Sequence, residues 1–208
     1  AIALASSLGA EDQMLTDMLI TLEPEASVFT IDTGRLPQET HDLMERTSEY
    51  YGLRYQILYP DMTELDPLIA QHGPDLFYKS VDLRKACCHA RKVISLQKKL
   101  ATLKAWICGL RRDQAVTRGA LNKVEWDDAN GLVKVNPLVD WTETQVWEYI
   151  KKNNVPYNRL HDAGYPSIGC APCTRAVKPG EDIRAGRWWW EHADHKECGL
   201  HGRRKKGV

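Results

Sequence analysis

The stretch Ala1-Ile2-Ala3-Leu4-Ala5-Ser6-Ser7-Leu8-Gly9-Ala10-Glu11-Asp12 decides the fold. Its first five residues are apolar without polar alternation, the mark of a strand covered on both faces, as in a parallel sheet. A Ser/Gly turn follows at once, and Leu15, Met18, Leu19 and Leu22 then recur at helical spacing. Strand, tight polar turn and helix open a doubly wound α/β fold.

Working outward, residues 28–31, 54–58 and 105–108 are further short strands of the same kind. Pro37 stands where a helix begins, Leu43, Met44, Thr47 and Tyr51 follow, and Gly52 stops it. A longer helix is expected from Asp82 to about Leu100, with Leu83, Ala86, Ala90, Val93, Ile94 and Leu100 toward the core. Residues 124–126 and 133–135 pair as a hairpin across Asn130-Gly131. Thr142 and Gln145 form a capping box for a helix whose apolar face is Val146, Trp147 and Ile150. Beyond Asn154 periodicity fades, and from Arg175 onward the bulky aromatic residues are Trp188, Trp189 and Trp190. The reading is an α/β domain over 1–175 with a doubly wound, mainly parallel sheet, then an irregular, mobile C-terminal arm over 176–208.

Composition sets the outer bounds. With 208 residues, 43% hydrophobic and 27% charged, the chain suits one globular domain rather than a disordered segment. Lys plus Arg and Asp plus Glu both number 28, so no global field draws nucleic acid or a membrane surface. Nothing approaches the ~18 apolar residues of a membrane span, and nothing reads as a signal peptide. The chain opens without Met directly on a strand, so further residues are expected upstream. Cations gather near the end, at Arg184, Arg187, Lys196 and Arg203 to Lys206. They meet an anionic ligand or form a solvated tail.

Six cysteines without a secretory signal point to metal binding or catalysis rather than a disulfide frame. Cys170-Ala171-Pro172-Cys173 alone suits zinc, a redox disulfide or an iron–sulfur cluster. Cys87-Cys88 narrows this, because neighbours on a helix point about 100° apart. Such a pair reaches one polynuclear cluster but fits a tetrahedral zinc site poorly. Cys87, Cys88, Cys170 and Cys173 are therefore read as one iron–sulfur site, with zinc or a disulfide as alternatives. Arg84, Lys85, Arg91 and Lys92 surround the pair, as counterions or as a solvated helix face, and Lys92 lies four residues after Cys88 on the same face. Cys108 ends a strand and reads as a small core residue. Cys198 sits among cations in Lys196-Glu197-Cys198-Gly199-Leu200-His201. Lowering a thiol pKa from about 8.5 to about 6.5 raises its thiolate fraction at pH 7 from about 3% to about 75%, so Cys198 is either a primed nucleophile or an incidental surface thiol.

Three loops end strands at their carboxyl side: Ser6 to Asp12, Asp32-Thr33-Gly34-Arg35-Leu36 and Gly109-Leu110-Arg111-Arg112-Asp113-Gln114. Doubly wound sheets bind ligands there, and a helix start after the first loop favours an anion. The plain alternative for that loop is a turn with Asp12 as helix N-cap.

Together with Lys85-Ala86-Cys87-Cys88, Ile168-Gly169-Cys170-Ala171-Pro172-Cys173-Thr174 and Glu197-Cys198-Gly199-Leu200-His201, these loops resemble the assimilatory adenosine 5′-phosphosulfate reductases, within the adenosine-phosphosulfate/phosphoadenosine-phosphosulfate reductase family. The resemblance spans nearly the whole chain. It implies a sheet of the adenine-nucleotide α-hydrolase type and a cytoplasmic enzyme that reduces adenosine 5′-phosphosulfate to sulfite and AMP with thioredoxin as electron donor. By carry-over, Cys198 attacks the sulfate sulfur and carries a thiosulfonate intermediate, and Cys87, Cys88, Cys170 and Cys173 hold a 4Fe–4S cluster that passes no electrons. Ser6, Ser7, Gly9, Leu36 and Gly109 match the adenosine pocket; Lys92, Arg118, Arg184 and Arg187 match the anion site, and His201 the closing tail. Close relatives that use phosphoadenosine phosphosulfate, or both substrates, are the nearest rivals, although those dedicated to that substrate generally lack both cysteine pairs. An ATP-dependent tRNA-thiolating enzyme is more distant, because Leu8, Ala10 and Gln13 depart from its Ser-Gly-Gly-x-Asp-Ser loop. A non-catalytic metal-binding domain is the third alternative. The sequence leaves the oligomeric state open, a homo-oligomer included.

Overall fold

β1 (Ile2–Ser6) lies inside a six-stranded sheet that the computed structural model shows in the order β3-β2-β1-β4-β6-β5. Residues 1–114 and 121–192 are described. β1 pairs in parallel with both β2 (Ser27–Ile31) and β4 (Ala105–Ile107), and β2 pairs in parallel with β3 (Gln56–Leu58). β5 (Val124–Asp127) and β6 (Leu132–Val135) form the expected hairpin, with Trp126 opposite Val133 and Gly131 at φ +71°. That hairpin is no separate unit. β6 continues the main sheet in parallel with β4, and β5 is its antiparallel edge.

The missing polar alternation has a direct cause. Leu4 and Val28 face one core with Leu15, Val146 and Ile150; Ala3 and Phe29 face the other with Leu96, Leu100 and Trp106. Alternate residues of a strand point to opposite faces, and here both faces are covered.

The helices are α1 (Ala10–Leu22), α2 (Gln38–Tyr51), α3 (Met62–His72), α4 (Val81–Cys88), α5 (Ile94–Leu100) and α6 (Glu143–Lys152). Gly52 ends α2 at φ +64°, and the Thr142/Gln145 capping box opens α6 as expected. Three expectations change. Leu22 is 83% exposed, because the last turn of α1 overruns the core that Met14, Leu15 and Ile20 fill. α3 was not expected, since Pro67 interrupts its pattern and only Leu65 is buried; Asp61 caps it by accepting from the Thr63 N–H. The long helix over 82–100 is broken immediately after Cys88 by a wide π turn, His89–Val93, before α5 resumes, and Val93 and Ile94 are only half-buried. Such turns recur at functional sites.

Residues 176–192 contain no helix or strand, yet they dock on the body. Thr174 bridges to Arg187, Trp188 is fully buried, Trp190 packs on Phe77 and Tyr78, and Trp189 is half exposed. Among the described residues no helix is long and apolar enough to cross a membrane.

Candidate active site

The sheet order changes direction between β1 and β4, since β2 and β3 extend to one side and β6 and β5 to the other. A ligand crevice is expected outside the carboxyl ends of those two strands. The loops there are joined by one carboxylate. Asp12 Oδ2 accepts from the Ser7 N–H (2.7 Å) and the Ser7 hydroxyl (2.6 Å), while Oδ1 accepts from the Gly109 N–H (3.0 Å). The N-cap is Gly9, so Asp12 ties the loops together rather than capping α1. A Cβ at Gly109 would stand 2.5 Å from Asp12 Oδ1 and 2.9 Å from Glu11 Cβ, so the loops touch only because residue 109 has no side chain. Leu8, buried at φ +61°, takes the strained conformation that lets the turn close. Glu11 adds a second tie, accepting from Arg111 Nε (2.9 Å) and Gln114 Nε2 (2.8 Å).

Burial raises the Asp12 carboxyl from 3.8 to about 6, against the pull of its hydrogen bonds to Ser7 and Gly109. Stability carried by the protonated form is then complete below pH 3.8 and is lost as pH rises through about 6, roughly 3 kcal/mol in all. Asp12→Asn cannot ionise. It sets an amide donor against backbone donors, at a cost of about 1–3 kcal/mol at every pH. Denaturant titrations should show its stability rising relative to wild type by up to ~3 kcal/mol between about pH 4 and about pH 7. A pH-independent difference would mean that Asp12 does not titrate in this window.

The crevice is a cavity of about 250 Å³, and Ser6, Ser7, Gly9, Leu36, Lys92, Gly109, Arg184 and Arg187 all line it. Every described residue expected to contact substrate therefore borders this one cavity. Arg118, Cys198 and His201 lie outside the described residues. His161 also faces the cavity; burial lowers its pKa, and the ring packs on Trp147.

A second, small cavity lies beside the first. It is lined by Cys87 and Cys88 from α4, Cys170 and Cys173 from the loop after α6, and Arg35, Arg84, Arg91 and Phe77. Lys92 lines both cavities. The four thiols are buried and not joined in disulfides. Arg84 and Arg91 are buried rather than solvated, whereas Lys85 is exposed. Burial and the neighbouring Cys170 and Cys88 push Cys173 up to about 12. Burial also acts against Cys170, but Lys92, Thr33, Arg187 and Arg91 together bring it below the ordinary thiol value. The Thr33 hydroxyl lies 3.2 Å from Cys170 Sγ.

Thiols that raise one another's pKa cannot all ionise without a cationic centre among them. Among the described residues, no three His, Cys, Asp or Glu side chains stand at the spacing of a single metal ion. Four sulfurs set around one cavity suit a polynuclear group, whose irons accept separate thiolates. The residues fit an iron–sulfur cluster. Sequence reading missed Asp12 as a loop tie, Thr33 as a thiol partner, and Glu191, which pairs with Arg84. Only Thr33 carried a signal, through its place at the end of β2.

Residues 1–176 match the family model described as the phosphoadenosine phosphosulfate reductase domain. The adenosine 5′-phosphosulfate reductase of Burkholderia cepacia is 52% identical over 197 residues, covering 95% of this chain and 79% of that protein. That of Allochromatium vinosum is 52% identical over 202 residues, covering 97% and 79%. Among solved structures, the phosphate complex of phosphoadenylyl-sulfate reductase from Candida auris matches with a TM-score of 0.71 at 29% identity, covering 85% of this chain and 83% of that one. Candida glabrata FMN adenylyltransferase, in complex with FAD and inorganic pyrophosphate, shares the fold alone, with a TM-score of 0.57 at 17% identity over 97% of this chain and 69% of that one.

Proposed function

The chain belongs to the phosphoadenosine phosphosulfate reductase family, and from that premise we propose that it reduces adenosine 5′-phosphosulfate to sulfite and AMP in the cytoplasm, as a step of sulfate assimilation. The observation that carries this reading is Lys92, which lines both the nucleotide-sized cavity and the four-cysteine cavity. Lys92, Arg184 and Arg187 supply the cations that a phosphate–sulfate anhydride needs if a thiolate is to approach it. Ser6, Ser7, Gly9, Leu36 and Gly109 supply the wall for adenosine.

In the proposed cycle the Cys198 thiolate attacks the sulfate sulfur. The bond from sulfur to the bridging oxygen breaks, AMP leaves with that oxygen, and a thiosulfonate remains on Cys198. A thioredoxin thiolate then attacks Cys198 Sγ, and sulfite departs with the electron pair of the sulfur–sulfur bond. The second thioredoxin thiol resolves the mixed disulfide, so both electrons come from thioredoxin. By the same carry-over Arg118 joins the anion site and His201 the closing tail. Cys87, Cys88, Cys170 and Cys173 would hold a 4Fe–4S cluster, whose charge, set beside Lys92, tunes the field felt by the substrate. Within the arm over 176–208, the part that carries Cys198 would shelter it during attack and present it to thioredoxin afterwards.

The family description and the Candida auris relative favour one second reading, use of phosphoadenosine phosphosulfate. Anaerobically purified protein, assayed for iron and for thioredoxin-dependent sulfite release from each sulfonucleotide, separates the two. Release from adenosine 5′-phosphosulfate by an iron-containing protein is expected. Release only from the 3′-phosphorylated substrate would replace the first reading with the second.

A further inference from the structure

The helix that carries Cys87 and Cys88 also carries a buried ion pair that the proposed chemistry does not use. Arg84 donates from Nε to Glu191 Oε1 (2.9 Å) and from Nη2 to Glu191 Oε2 (2.7 Å). The two side chains are 0% and 2% exposed. A buried pair of this kind is seldom more stable than apolar side chains of the same volume, so stability alone does not account for it.

Its neighbour supplies a use. The Arg84 guanidinium lies 4.7 Å from the Trp188 ring, and the Arg187 guanidinium lies 4.7 Å from the same ring. Trp188 is itself tightly held. It is fully buried, its backbone N–H donates to the Cys173 carbonyl (3.0 Å), and its φ of +41° is a conformation a bulky side chain adopts only under constraint. Arg187 Nη1 donates to the Ile168 carbonyl (3.1 Å), and its guanidinium fills the space where a Cβ on Gly169 would stand, 2.3 Å from Nη2. One indole thus sets two guanidinium ions, one beside the cysteine cavity and one in the wall of the nucleotide cavity. Two cations on one ring repel unless one is neutralised, and Glu191 neutralises Arg84.

We propose that the Arg84–Glu191 pair is a positioning device for Arg187. It holds the Trp188 ring in the one orientation that places the Arg187 guanidinium against the anionic part of the substrate. This rests on the reading of the larger cavity as a sulfonucleotide site. The two cavities are then coupled by packing through Trp188 as well as by charge through Lys92.

A double-mutant cycle tests this, with equilibrium binding of adenosine 5′-phosphosulfate and of plain adenosine as readouts. Arg84→Met/Glu191→Leu replaces the pair with apolar side chains of similar volume. It is expected to weaken sulfonucleotide binding about 10-fold and to leave adenosine binding unchanged. Arg187→Ala alone should cost about 30-fold, but no more than about 3-fold in the double-variant background. Near-ultraviolet circular dichroism and iron content check that each variant folds. If the double variant does not fold, Arg84→Lys serves in the same cycle, since it keeps the charge and loses the bidentate fork. Equal costs of Arg187→Ala in both backgrounds would overturn the positioning role while leaving the proposed activity intact. Wild-type protein that binds adenosine but not the sulfonucleotide would overturn both.

Discussion

Replacing Cys198 by Ser is expected to remove sulfite release almost entirely while leaving nucleotide affinity within a few-fold of wild type. A serine hydroxyl in that place is un-ionised at neutral pH and a far poorer nucleophile than a thiolate. Loss of a covalent nucleophile in enzymes that form such intermediates costs about 10⁴-fold or more in turnover. Binding should be spared because the wall proposed for adenosine and the cations Lys92, Arg184 and Arg187 are formed by residues other than Cys198. Wild-type protein incubated with substrate and no reductant should gain the mass of one sulfonate group, and the variant none. Sulfite release by Cys198→Ser at the wild-type rate would show that Cys198 is not the nucleophile. The sulfonate on another residue would move the nucleophile elsewhere.

The second large effect concerns the cysteine cavity. Cys87→Ser and Cys170→Ser each remove one of four thiols around a small space, and a cluster lacking a ligand is labile in a cell. Both variants should be purified without oxygen as colourless, iron-poor protein with little sulfite release. Lys92→Ala should behave differently. It touches both cavities but is not a thiol, so iron should be retained while turnover falls, by about 10- to 100-fold if one charge-assisted contact is lost. That contrast is the informative part. If Lys92→Ala also emptied the protein of iron, its role would be to hold the cluster rather than to join the cluster's field to the substrate. Iron-free Cys87→Ser protein with full activity would sink the cluster assignment as a functional one.

What could be read from the chain alone followed from how local each cause is. The apolar runs of β1, β2 and β4 announce a sheet covered on both faces because burial is written in every residue of the run. The hairpin, the α2 stop at Gly52 and the Thr142 capping box are settled within a few residues, and all three could be located. The cavity lining was legible for a different reason: the loops at strand ends are short, and the sheet order brings them together. Causes that act at a distance were not legible. Arg84 looks like part of a solvated stripe until its counterion, 107 positions away, is seen. Asp12 looks like a helix cap until the Gly109 N–H, 97 positions away, arrives at its other oxygen. Nor does His89-Ala90-Arg91-Lys92-Val93 advertise a π turn, since most of its residues suit an ordinary helix. Residues 193–208, with Cys198, lie outside what the structure describes, and their part rests on the motif.

The π turn between α4 and α5 can be restated as a matter of register. It amounts to one surplus residue in an otherwise regular helix, and one residue is worth about 100° of rotation. Everything upstream, including both cysteines, keeps one phase; everything downstream keeps another. Removing the surplus would preserve each side chain's chemistry and still turn the second half of the helix by about a quarter-circle relative to the first. Two adjoining cavities are served by one helix because its two halves are deliberately out of step.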